Sequence, residues 1–187
     1  MDGSGLEGQA ADLPPRERMV LGLLLTWLLA PVLRFDDTED GRRRAEVCRE
    51  WLRRAVLEVG DGRSDGLVRD ALLREVLASE ELQLDEEPDG PAAFRVDFLA
   101  ALAYALEAGR GDERSFTGLF SRVESTLDFA DDAGLAPPLP WLDAQVLEVI
   151  DGLREAGASD GVDEALLRRL QDVLAPSRAV LTESPSG

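Results

Sequence analysis

The chain has no lysine, no histidine and no asparagine, and only one cysteine in its 187 residues. Each absence removes a class of chemistry. Without histidine there is no Ser-His-Asp or Cys-His nucleophile site and no imidazole ligand for a metal. Without lysine there is no Schiff-base residue and no Walker-type phosphate-binding side chain. A lone thiol, Cys48, cannot close an intrachain disulfide, so a reducing compartment is expected, the cytoplasm by default. Cys48 also falls in step with Trp51, Leu52, Ala55 and Val59 on one helical face, where a buried, inert thiol is expected rather than a nucleophile. Aromatic residues are scarce as well, at 5%, which leaves leucine, valine and alanine to fill the core and points to helices.

What is abundant is acid. The 38 aspartates and glutamates outnumber the arginines and give a formal charge of −18. A field of that sign repels a phosphate backbone, so nucleic acid is not an expected partner, whereas a basic protein is. The one long apolar run, 19–33, is shorter than the about 20 residues a bilayer span requires. It is also interrupted by Gly22, Thr26 and Pro31. Asp2, Glu7 and Asp12 precede it and no small-x-small pattern follows, which is unlike a signal peptide. No membrane segment is expected. A helix apolar on all sides is central in its domain or buried at a subunit contact. The central position is the expectation here, and a homodimer is the alternative.

The order of the residues repeats. The stretch 51–62, Trp-Leu-Arg-Arg-Ala-Val-Leu-Glu-Val-Gly-Asp-Gly, returns at 141–152 as Trp-Leu-Asp-Ala-Gln-Val-Leu-Glu-Val-Ile-Asp-Gly. Ser-Asp-Gly and Ala-Leu-Leu-Arg then follow in both places. The i, i+3, i+4, i+7 spacing of apolar residues predicts helices over 17–33, 42–59, 65–78, 92–108, 115–129, 140–156 and 162–174. The fold class expected is all-α, a compact bundle of about seven helices with an internal pseudo-two-fold duplication. In that scheme 14–78 is the first repeat, 79–91 an acidic linker, and 92–175 a second repeat with one extra helix. An alternative register matches 19–30 to 95–106. Residues 1–13 and 176–187 read as disordered tails, with Asp12 capping the first helix and Pro176 stopping the last.

Two acidic loops are candidate metal sites. Asp36, Asp37 and Asp40 lie in Phe35-Asp-Asp-Thr-Glu-Asp, and Asp131 and Asp132 in Phe129-Ala-Asp-Asp; each precedes one copy of the Trp-Leu helix. All-oxygen ligands would select Ca²⁺ or Mg²⁺. The first loop resembles the DDxxD motif of class I terpene synthases and prenyl transferases over its five positions only, and no second metal motif accompanies it. The string 61–66 resembles the start of an EF-hand loop, but Arg63 and Leu72 occupy positions where ligands are required. The helix start 159–164 is similar to those of TerB-type tellurite-resistance domains, which are small, acidic, helical and duplicated; the likeness covers two short turns. Finally, Arg42, Arg43, Arg49 and Arg53 make one helix locally basic, a feature absent from the second copy and therefore a candidate partner-binding face. Together these features suggest a non-enzymatic interaction or regulatory module of immunity, antitoxin-like or adaptor type. A helical domain that binds a small molecule or divalent cation is the second reading.

Overall fold

Two helices that are apolar on nearly every side must lie at the centre of whatever they build, and the computed structural model places them there. It describes residues 3–60, 66–84, 88–157 and 162–183. Among these there are eight α-helices and no strand. They are α1 (Gly3–Ala10), α2 (Pro15–Leu29), α3 (Glu39–Gly60), α4 (Leu67–Leu77), α5 (Ala93–Ala108), α6 (Glu113–Asp132), α7 (Leu142–Gly157) and α8 (Glu164–Glu183). Helix α2 continues as a 3₁₀ turn, Ala30–Phe35.

Helices α2 and α5 pack side by side, and α6 packs along α5 and also touches α2. The approach of α2 to α5 is set by Gly22, because a Cβ built there would lie 2.6 Å from the Ala105 Cβ and 2.9 Å from its Cα. Around this pair, Leu21, Leu25, Leu28, Phe94, Phe98, Leu102 and Leu106 are all but inaccessible. The segment Pro15–Phe35 is long and apolar enough to cross a membrane, and 83% of its apolar window is buried inside the fold.

Arginines reach carbonyls at the ends of two helices. Arg16 donates to the Val59 carbonyl at 3.2 Å near the end of α3, and Arg69 to the Gly109 carbonyl at 2.8 Å after α5. Both satisfy carbonyls that a helix C-terminus leaves unpaired. Arg110-Gly111-Asp112 is a turn; Gly111 adopts φ 89°, and the Asp112 carboxylate accepts from the Arg114 backbone N–H at 3.1 Å to open α6.

Four expectations are corrected. Residues 1–13 do not form a tail throughout: α1 buries Leu6 and Ala10, and Leu13 follows them into the core. Pro14 rather than Asp12 holds the N-cap position of α2, with no side-chain cap. Helix α8 does not stop at Pro176 but runs through it to Glu183. A proline inside a helix costs about 3 kcal/mol, and here packing beyond it offsets that cost: Ser177 and Leu181 are fully buried and Arg178 lies over the Trp27 ring. The acidic linker 79–91 does not hang free at its start, since Ser79 is buried and the 3₁₀ turn Glu80–Gln83 packs on α5. Residues 61–65 of the EF-hand-like string and Ser159-Asp160-Gly161 lie outside the described residues.

The duplication is not confirmed. Helices α3 and α4 pack together, as do α7 and α8, but α2 packs on α3 whereas its counterpart α6 makes no comparable contact with α7 among the described residues.

Candidate functional site

The two acidic loops do approach one another, through their phenylalanines. The Phe35 ring stands 5.3 Å from Phe94, and Phe129 stands 5.2 Å from the same ring. Their aspartates then diverge. Asp36 turns inward, 9% exposed, and pairs with Arg95 of α5. It also accepts from the Thr38 hydroxyl at 2.7 Å. Burial alone pushes this carboxyl upward, but the Thr38 hydroxyl and the Arg95 guanidinium outweigh it and hold the pKa below its usual value. Gly41 makes room for the arrangement, because a Cβ there would stand 2.3 Å from the Asp36 carboxyl carbon.

From this buried pair an ion network spreads outward. Glu81 faces the Arg95 Nε at 3.8 Å and Arg44 at 3.1 Å, and Arg44 also meets Asp40 at 2.6 Å and Glu80 at 3.0 Å. Glu81, Asp40 and Glu80 together raise the Arg44 pKa above its ordinary value. Beside the network is a cleft of about 320 Å³ lined by Val47, Cys48, Trp51 and the buried, unpartnered Ser79 hydroxyl. The Cys48 thiol is pushed up to about 12, chiefly by burial and secondarily by Glu81. At neutral pH it is therefore a thiol and not a thiolate. A disulfide reagent such as DTNB is expected to leave Cys48 unmodified in the folded protein and to titrate one thiol after denaturation. Rapid native labelling would contradict its burial.

The arginines expected to bind a partner are already engaged. Arg42 donates to the Asp37 carbonyl, Arg43 pairs with Asp40 at 3.5 Å, and Arg49 pairs with Glu46. Arg53 grips Glu50 through two bonds of 2.8 Å. Each of these ties is local, within five residues, and most of the partners are exposed. The α3 face is thus neutralised by its own acids.

Helix α6 is the opposite case. Asp131 and Asp132 are exposed near its end, and Asp128 and Glu124 precede them one and two turns back. Among the described residues none of these four has an ion-pair partner. Glu124/Asp128 and Asp128/Asp132 are like charges at i, i+4, each pair costing the helix about 0.2–0.5 kcal/mol. Glu124, Asp128 and Asp131 line one side of a cleft whose other walls include Leu127, Pro137, Pro138, Leu139, Leu142 and Leu181. Phe129 and Trp141 are exposed nearby in the chain, at 39% and 44%. Glu124 and Asp128 are absent from the candidates that the sequence motifs single out. Their signal in the sequence is the helical spacing of acids without an arginine three or four residues away on that face.

Among the described residues no group of histidine, cysteine, aspartate or glutamate side chains is arranged to hold a metal ion. No family model matches this chain, and neither a curated protein nor a solved structure does.

Proposed function

We propose that the chain is a non-enzymatic helical interaction module that binds a basic protein partner through the α6 stripe Glu124, Asp128, Asp131 and Asp132. One observation carries this reading: four carboxylates stand together without counter-ions, beside a leucine and proline cleft, while the α3 arginines are spent on neighbouring acids. A partner segment with two or three arginines or lysines and an apolar anchor complements both halves of that surface.

The non-enzymatic part of the reading rests on the lack of histidine and lysine, which removes the commonest general base and the Schiff-base residue. A Ca²⁺ or Mg²⁺ site spanning both acidic loops is the weaker reading, because Asp36 and Asp40 are committed to arginines. A cytoplasmic setting belongs to the same proposal, as does an internal duplication in its alternative register. In that register α2 and α5 are the matched pair, with α3 and α4 against α5 and α6 and α7 against α2.

The test is recovery of the tagged chain from its own cells at low salt, beside a Glu124→Gln, Asp128→Asn, Asp131→Asn variant. A stoichiometric basic protein that leaves in a high-salt wash, and is absent from the variant, is the expected outcome. Removing like charges leaves the variant at least as stable as the parent, so loss of partner is not loss of fold. A partner retained by the variant, or a chain recovered alone, sinks the proposal.

A further inference from the structure

Between α2, α3 and α8 lies a groove of about 330 Å³, within the size range of small-molecule pockets. Its floor is apolar, from Trp27, Leu52 and Val56, and its rim carries Arg49, Arg53 and Arg178. Arg178 comes from the part of α8 beyond Pro176. Its guanidinium carbon lies 4.3 Å from the Trp27 ring centroid, and its Nε donates to the Trp27 carbonyl at 3.3 Å. The head is thereby fixed over the groove. Arg49 and Arg53 keep exposed glutamates of their own helix as partners. Arg178 has no carboxylate partner among the described residues, in a chain that carries 38 acids. Burial and the charge of Arg49 both depress its pKa, and Arg49 stands on the rim of the same groove.

We propose that this groove binds a small organic acid with an apolar body, such as a medium-chain or aryl carboxylate. The body lies on Trp27, Leu52 and Val56, and the carboxylate sits between Arg178 and Arg49. A bidentate guanidinium bond in a half-buried setting supplies the orientation, and the apolar floor supplies most of the binding free energy. The site does not involve α6 and stands independently of the partner proposed for that helix.

The experiment is calorimetric titration of the full chain with decanoate, with decanol and decyltrimethylammonium as neutral and cationic probes of equal length. Saturable 1:1 binding of decanoate is expected, with decanol weaker by about tenfold or more and the cation weaker still. Arg178→Gln is expected to weaken decanoate by about tenfold while leaving decanol unchanged. Arg49→Gln, at an already half-exposed position, keeps the Trp27 stack intact and is expected to weaken decanoate several-fold. In a Trp51→Phe, Trp141→Phe background, the emission of Trp27 should shift along the same isotherm. Absence of saturable decanoate binding, equal binding of decanol, or decanoate affinities unchanged in both arginine variants would each overturn the assignment.

Discussion

Gly22→Ala is expected to lower the melting temperature by about 3–10 °C, and Gly22→Val to lower it further. The added methyl group would lie 2.6 Å from the Ala105 Cβ, 2.9 Å from the Ala105 Cα and 2.9 Å from a Leu119 methyl. Two of these contacts belong to the facing helix at or next to its backbone, so no side-chain rotation relieves them. Helices α2 and α5 must separate along the contact that organises the core. Overpacking of this kind costs about 1–3 kcal/mol for a single methyl, and a chain of this size loses roughly 2–4 °C per kcal/mol. Alanine is the better helix former by about 1 kcal/mol, so a destabilised Gly22→Ala has to be a packing effect. Adding Ala105→Gly removes the nearest atom and is expected to restore part of the loss. Thermal melts followed by circular dichroism decide the matter. A Gly22→Ala protein that melts with or above the parent would mean that α2 and α5 are not in the close contact described.

Much of this arrangement is legible in the residue pattern alone. The unbroken apolar faces of 17–33 and 92–108 mark α2 and α5 as central, and the heptad-like stripes of 42–59 and 115–129 mark α3 and α6 as helices with one wet side. The failures share a cause, which is that partners distant in sequence overrule local preference. Gly3, Gly5 and Gly8 argue against a helix at the N-terminus, yet α1 forms because Leu6 and Ala10 find a core to enter. Pro176 argues for a stop, yet the helix continues to where Arg178 meets Trp27, 151 residues away. In the candidate sites the acidic composition is legible and its fate is not. The five-residue string from Asp36 to Asp40 does not show which carboxylate turns inward, because that depends on Arg95 on another helix. Nor does the run of arginines after it show that Arg43, Arg49 and Arg53 are each paired with an acid of their own helix.

Asp36 and Arg95 give the second large effect, and pH gives it a signature. Both side chains are 10% exposed, so removal of one leaves the other charged in a poorly hydrated place. Arg95→Met is expected to cost about 3–5 kcal/mol at neutral pH, the range for breaking a buried pair by deleting one partner. Replacing both, as Asp36→Leu with Arg95→Met, is expected to cost less than the single change, since no uncompensated charge remains. The parent is then the more acid-sensitive of the two. In the parent, the folded pKa of Asp36 lies below its ordinary value of 3.8. Its stabilising contribution is therefore complete above that value and disappears as the pH falls through the depressed folded pKa. In Arg95→Met the lowering contributions of Arg95 are gone while burial and the Thr38 hydroxyl and backbone N–H remain, so the Asp36 pKa rises relative to the parent's and the variant loses less stability as pH falls. Urea denaturation of both proteins from pH 7 down to about pH 2.5 should show a stability gap that holds near neutrality and narrows as the carboxyl is protonated. A gap that is constant with pH would assign the loss to the packing of the arginine stem, and a gap near zero throughout would mean that Asp36 is hydrated rather than paired.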